Sequence, residues 1–118
     1  MSNTSIYLRF INLTHAVTSE WEGVGIDLLG LRLLEAIAIA HNQGAALTVT
    51  DAMALNRIAS PATMHRKLIS LIEAGLIQQT YEGKNRRTKY LLPTNDAEKY
   101  FEKLGNALVI AGAQADQY

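Results

Sequence analysis

The segment YEGKNRRTKY at residues 81–90 concentrates positive charge in a chain of 118 residues that is formally neutral. Four of the eleven Lys and Arg residues fall within six consecutive positions, namely Lys84, Arg86, Arg87 and Lys89. Guanidinium and ammonium groups bind phosphate and carboxylate oxygens. The spacing predicts contact with a polyanion; the simpler interpretation is a solvated, charged loop.

The basic character extends beyond this segment. Residues 57–89 hold seven Lys and Arg against two Glu, a net charge of +5, whereas residues 1–56 carry −3 and residues 90–118 carry −2. One third of the chain can therefore face a polyanion while the remainder keeps the protein soluble.

Other chemistry is not indicated. The chain has no Cys, which excludes disulfides and thiolate metal sites. The histidines lack ligand spacing, and no paired carboxylates or nucleophile–base pair stands out, so we predict neither a metal site nor an enzyme. The glycines at 23, 25 and 30 do not match GxGxxG, and no cofactor is predicted.

Length and composition are those of one soluble domain, with 48% apolar and 19% charged residues. The N-terminus lacks the pattern of a signal peptide. The longest apolar segment, LLGLRLLEAIAIA at 28–40, is too short to cross a bilayer and carries two charges. We expect a cytoplasmic protein that does not enter a membrane.

The clearest helix start is Ser60-Pro61, because Ser at the N-cap and Pro at the first position both suit the unpaired amides there. The helix ATMHRKLISLIEA follows and stops at Gly75. His65 is expected at the edge of its buried stripe and partly buried. That stripe follows the i, i+4, i+7, i+8 spacing and comprises Met64, Leu68, Leu71 and Ile72.

The opposite arc of this helix is polar and basic near its N-terminus. It suits insertion into a groove lined by phosphates and base edges. Arg66 is the residue of the arc that best suits contact with a base edge, since Arg pairs bidentately with guanine. The alternatives for Arg66 are a phosphate contact or a salt bridge with Glu73. The arc carries Thr63, Arg66 and Ser70, with Ala62 and Lys67 on its flanks.

Two helices precede this one. Asp27 is the predicted N-cap of a helix that reaches His41 and ends near Gly44. Residues 46–48 read as a short strand, and Thr50 is the predicted cap of a short helix over DAMALNR.

After Gly75 the repeat of the hydrophobic pattern changes from 3.6 residues, typical of a helix, to 2 residues, typical of a strand. The segments LIQQTYE and TKYLLP read as two strands joined by GKNRR, a hairpin with a basic tip. Asn95 is then the predicted cap of a last helix, with Glu98 completing a capping box. The narrow apolar seam of that helix suggests packing against a partner.

The N-terminal residues 6–17 favour a helix, although 6–11 also fit a strand. Four aromatic residues are candidates for a dimer interface or an effector pocket, with an ordinary core role as the alternative for each: Tyr7, Phe10, Trp21 and Tyr100.

The element order is helix, short strand, short helix, capped helix and hairpin, which predicts an α+β, mainly α, winged helix-turn-helix whose hairpin is the wing. Residues 47–104, from the Thr-capped helix through "LIEAGLI", the basic wing and "LLPT", resemble the DNA-binding core of a MarR-type transcriptional regulator. The resemblance covers about half of the chain.

The resemblance implies a homodimer that binds a pseudo-palindromic operator in double-stranded DNA and is often released by a small-molecule effector. It divides the single domain, 1–118, into a dimerisation segment at 1–22, a winged core at 27–93 and a dimerisation helix at 95–113. The residues predicted to bind DNA are Ser60, Ala62, Thr63, Arg66, Lys67, Ser70, Lys84, Asn85, Arg86, Arg87 and Lys89.

The chain departs from the family pattern in three places. Asn85 stands where an acidic residue usually precedes the key Arg of the wing. Asn56, rather than a Gly, marks the turn between the two helices. One helix follows the wing instead of two. Overall neutrality and the short chain keep an alternative function open, a winged helix that docks an acidic protein partner through its basic hairpin.

Overall fold

A computed structural model of the chain describes residues 2–19, 26–55, 57–84 and 86–115. These residues form two compact units, one within 25–97 and the other within 1–24 and 98–118. The described elements are α1 (Asn3–Thr18), α2 (Leu28–Asn42), α3 (Val49–Met53), α4 (Pro61–Glu73), β1 (Ile77–Tyr81), β2 (Lys89–Pro93) and α5 (Asn95–Ala115). The predicted class, mainly helical with one two-stranded hairpin, is confirmed.

The unit within 25–97 is built around a core between α2 and α4. Helix α2 contacts both α4 and β2, and α3 contacts the same two elements. Burial of each large apolar side chain contributes roughly 1.5–3 kcal/mol. The largest fully buried side chains are Leu33, Leu34 and Ile37 of α2, Met64 and Leu71 of α4, and Ile77 and Leu91 of the hairpin.

Helix α2 begins and ends where the sequence predicts. The Asp27 carboxylate accepts a hydrogen bond from the Gly30 amide at 2.8 Å, which satisfies one of the free amides of the first turn. Gly44 follows the last turn with a φ of 77°, a left-handed conformation that glycine adopts without steric cost.

The cap of α3 differs from the prediction. The Asp51 amide donates to Thr48 Oγ1 at 3.1 Å and the Thr48 amide donates to Asp51 Oδ2 at 3.0 Å, so Thr48 rather than Thr50 begins the helix. The predicted strand is reduced to one bridge, Thr48 to Tyr90. Pairing with β2 holds Thr48 extended, which leaves its side chain free to cap. Asn56 lies outside the described residues.

The hairpin is antiparallel, in a register that runs from Ile77 opposite Pro93 to Tyr81 opposite Lys89. Its first strand has one buried residue, Ile77, and the next three residues are exposed. The hairpin is therefore anchored at its base by apolar packing and extends outward from there. Gly83, with a φ of 53°, lies in the connection between the strands.

The cap of α5 is also shifted by one residue. The Ala97 amide donates to Thr94 Oγ1 at 3.3 Å, and Asn95 is the first helical residue rather than the cap. The Thr94 hydroxyl donates to the Gly75 carbonyl at 2.6 Å, and the Thr94 amide donates to the Leu76 carbonyl at 3.0 Å. Thr94 thus joins the end of the hairpin to the end of α4, which places it, and not Asn95, at the helix start.

The second unit contains α1 and most of α5. The helix predicted for residues 6–17 is confirmed, and α1 has no buried residue. Tyr7 of α1 is 60% exposed, whereas Tyr100 of α5 is buried. Trp21 lies outside the described residues. Among the helices that the structure describes, none has the length and apolar character needed to cross a membrane.

Candidate functional site

Helix α4 is fixed at both ends by its own sequence. The Thr63 amide donates to Ser60 Oγ at 3.4 Å, with Pro61 in the first turn, as predicted. At the other end Gly75 has a φ of 76°, and its amide donates to the Ile72 carbonyl at 3.0 Å. A helix capped at both termini presents its side chains in a defined orientation.

The exposed face of α4 is rotated relative to the predicted arc. Met64, Leu68 and Leu71 are buried as predicted, but Thr63 and Lys67 are half-buried. At 100° per residue the outermost line of the helix then lies about 60° from the centre of the predicted arc. This outward line runs through Ala62, Arg66, Ile69 and Glu73, all of which are exposed.

Arg66 stands in the middle of this outward line. Its Nη2 donates to Thr63 Oγ1 at 3.2 Å, and the Ser70 hydroxyl donates to the Arg66 carbonyl at 3.1 Å. The guanidinium therefore bonds Thr63 rather than Glu73, which was one of the alternatives for it. A single hydrogen bond orients the guanidinium and leaves other N–H donors available to a bidentate acceptor.

Lys67 has a partner on another helix. Its ammonium forms an ion pair with the Asp27 carboxylate, the N-cap of α2, and its side chain is 26% exposed. The bond from Lys67, followed by the Gly30 amide, lowers the pKa of Asp27 below its usual value. Lys67 therefore links α4 to α2, and a DNA contact by this side chain stays a prediction.

The tip of the wing is basic and exposed. Lys84, Arg86, Arg87 and Lys89 are all exposed, and Asn85 between them lies outside the described residues. The Arg86 guanidinium carbon lies 5.2 Å from the centroid of the Tyr81 ring, a cation–π contact. This contact holds one cation of the tip against the hairpin itself.

A second contact stiffens the base of the tip. The Tyr90 hydroxyl donates to Glu82 Oε2 at 3.0 Å, and the neighbouring carboxylate raises the pKa of Tyr90. Because this hydrogen bond occupies Glu82, the acid nearest the basic tip already has a partner within the hairpin.

Sequence reasoning missed two residues of the exposed surface. Ile69 is 42% exposed on the outward line of α4, and His65 is exposed rather than partly buried as predicted. The prediction for His65 was wrong because Ile72, on the same side of the helix, is only half-buried and the buried stripe is centred closer to Leu71. The spacing of Ala62, Arg66, Ile69 and Glu73, i, i+4, i+7, i+11, was the available signal.

The described residues show no group of three His, Asp or Glu side chains placed to hold a metal ion. The surface consists instead of one helix face and one basic hairpin within a single compact unit. Two helices joined by a turn, the second capped and exposed, and a following two-stranded hairpin define a winged helix-turn-helix.

Solved structures share this fold. RV1404 from Mycobacterium tuberculosis has a TM-score of 0.64 at 19% identity, covering 97% of this chain and 73% of its own. A MepR variant from S. aureus, bound to an oligodeoxyribonucleotide, has a TM-score of 0.62 at 21% identity. The match covers 99% of this chain and 84% of the MepR chain. A MarR-family transcriptional regulator from a Rhodococcus species has a TM-score of 0.52 at 17% identity. The match covers 88% of this chain and 70% of the Rhodococcus chain.

At these identities the similarity concerns the fold. The predicted resemblance to MarR-type winged-helix regulators is confirmed at that level, over nearly the full length of the chain. No protein-family model and no curated protein matches the sequence.

Proposed function

We propose that this protein is a sequence-specific regulator of transcription that binds double-stranded DNA as a homodimer in the cytoplasm, and that it is not an enzyme. The observation that carries the proposal is the pairing of an exposed helix face centred on Arg66 with a basic hairpin tip in one compact unit. A winged helix-turn-helix uses these two surfaces for the major groove and for an adjacent backbone or minor groove.

The two surfaces have different tasks in this proposal. Arg66 reaches a guanine edge in the major groove and supplies sequence preference. Lys84 and Lys89 bind phosphates and supply affinity that is largely independent of sequence. Arg86 or Arg87 enters the minor groove, where a narrow A·T-rich segment attracts a guanidinium.

Exposed apolar residues support the homodimer. Leu108 and Val109 of α5 are 58% and 71% exposed, and Leu8 of α1 is 60% exposed. Apolar surface gains about 25 cal/mol per Å² on burial, which favours covering these side chains with a second copy. A two-fold dimer would place two copies of α4 on half-sites about 34 Å apart, which requires a pseudo-palindromic operator.

A small-molecule effector is the last part of the proposal. Its support is the resemblance to regulators that ligands release from their operators. Isothermal titration of candidate ligands, followed by operator binding with and without each ligand, would test this part.

Selection of bound duplexes from a random library tests the DNA-binding proposal directly. We expect one pseudo-palindromic sequence to be enriched, and the logarithm of its affinity to fall linearly with the logarithm of salt concentration, with a slope of about −0.9 per neutralised phosphate. Salt-independent binding, or enrichment of no duplex, would contradict the proposal.

The neutral overall charge supports a second candidate, a module that docks an acidic protein through the wing. Affinity capture from nuclease-treated extract separates the two. A single stoichiometric protein partner that is lost in a Lys84→Ala, Arg86→Ala, Arg87→Ala variant would favour the second candidate.

A further inference from the structure

Ile69 is an apolar side chain on the outward line of α4. It is 42% exposed, whereas Met64, Leu68 and Leu71 of the same helix are at most 2% exposed. Arg66 lies one turn before it on the same exposed face. The helix therefore carries a branched hydrocarbon beside the guanidinium of Arg66.

The major groove offers few apolar partners for such a side chain. Thymine presents a C5-methyl group there, and none of the other three bases carries a methyl group in the major groove. An apolar side chain in contact with that methyl group removes hydrocarbon surface from water on both partners. The chemistry of Ile69 therefore suits a methylated pyrimidine edge.

The spacing along the helix is compatible with adjacent base pairs. Three residues of α-helix rise about 4.5 Å, and successive base pairs are about 3.4 Å apart along the duplex axis. A helix that places Arg66 on a guanine thus brings Ile69 close to the next base pair. The two side chains would read a guanine and a neighbouring pyrimidine together.

We propose that Ile69 is a specificity-determining residue that reads the C5-methyl group of a thymine next to the guanine contacted by Arg66. This inference rests on the proposed DNA-binding function and adds to it a named base, a named atom and a named side chain. Ala62, the other apolar residue on the outward line, extends only one methyl group and reaches less far.

The test is a methyl deletion in the DNA. Each thymine of the selected operator is replaced in turn by deoxyuridine, which keeps base pairing and removes only the C5-methyl group. We expect one position per half-site at which the wild-type protein loses about fourfold in affinity, and about fifteenfold when both half-sites are changed, as expected for one buried methyl each.

Two variants locate the effect. Ile69→Ala should bind thymine and uracil operators equally at that position. Ile39→Ala is the matched control, since Ile39 is an isoleucine of α2 in the same unit and is 58% exposed. It should retain the full penalty for uracil. Both side chains are exposed, so both variants should stay within about 0.5 kcal/mol of wild-type stability.

The outcomes are distinct. A tightly bound operator with no sensitive thymine, or an Ile69→Ala variant that keeps the same uracil penalty, overturns this inference and leaves the proposed function intact. Failure of the wild-type protein to bind any duplex overturns the proposed function and this inference with it.

Discussion

Helix α4 and the wing both expose side chains to solvent, but the protein supports them differently. Helix α4 buries Met64, Leu68 and Leu71 in the core and is capped at both ends. The hairpin buries Ile77 and Pro93 in its first pair and Leu91 in its middle pair, and its basic residues begin where the paired strands end. Packing supports α4 along its length, whereas it supports the hairpin only as far as its middle and leaves the tip exposed.

This difference corresponds to two kinds of recognition. Bidentate contact with a base edge requires a donor held at a defined position and angle, which a packed helix provides. Contact with a phosphate tolerates a range of positions, since charge attraction falls slowly with distance. In the proposed function, α4 therefore reads the sequence and the wing supplies affinity.

The largest expected effect concerns the inner side of α4. Leu71→Ala should lower the free energy of unfolding by about 2–5 kcal/mol, because it leaves a cavity in the core. Urea denaturation measures this loss. Ile69→Ala on the outer side should change it by less than about 0.5 kcal/mol. Equal losses at the two positions would mean that α4 does not have the one-sided support inferred for it.

The second expected effect separates the helix from the wing in binding. Arg66→Ala should reduce the discrimination between operator and mutated operator by about 1–3 kcal/mol, whereas Lys84→Ala should weaken binding to all duplexes and reduce the salt slope by about one. Fluorescence anisotropy at several salt concentrations gives both quantities. If Lys84→Ala also relaxes sequence preference, the proposed division of tasks fails.

A smaller effect tests the N-terminal cap of α4. Ser60→Ala should cost about 1 kcal/mol of stability, because the Thr63 amide loses its acceptor. Thermal unfolding followed by circular dichroism measures the change. Ser70→Ala is the matched control, since its hydroxyl donates to a carbonyl within the helix, and it should stay within about 0.5 kcal/mol of wild type.

The smallest effect concerns the ion pair between Lys67 of α4 and Asp27, the N-cap of α2. The pKa of Asp27 is lowered from 3.8 in the folded protein, chiefly by the bond from Lys67. The unfolded chain therefore binds this proton more readily than the folded chain. The stabilisation is present above pH 3.8 and is lost as the pH falls through the lower folded value.

Asp27→Asn isolates this charge, because Asn caps a helix as well as Asp does. We expect a loss of less than about 1 kcal/mol at neutral pH for a pair this exposed. Unfolding at several acidic pH values should show a weaker pH dependence in Asp27→Asn and Lys67→Met alike. An unchanged pH profile in both variants would mean that the ion pair contributes nothing to stability in solution.

Much of the fold was predictable because its signals are local. Ser60-Pro61, Asp27, Gly44 and Gly75 each act through their own φ angle or through amides within three residues of them. The change from period 3.6 to period 2 after Gly75 likewise needs no distant contact. These features predicted the helix starts and stops and the hairpin.

The caps predicted at Thr50 and Asn95 were wrong by one or two positions. In each case two nearby residues have side chains that can cap a helix. Contacts with a distant part of the chain selected one of the two. Thr48 is held by its bridge to Tyr90, and Thr94 is held by the Leu76 and Gly75 carbonyls. No propensity of the residue itself distinguishes such neighbours.

The composition of the exposed surface follows from local sequence, since the 3.6 period places Met64, Leu68 and Leu71 inward and Arg66 outward. The orientation of that surface does not. Thr63 and Lys67 are half-buried, and Lys67 pairs with Asp27, forty positions earlier in the chain. Helical period defines which residues share a face. Packing against a distant helix defines which way that face turns, and this places Ile69 on the outward line of α4.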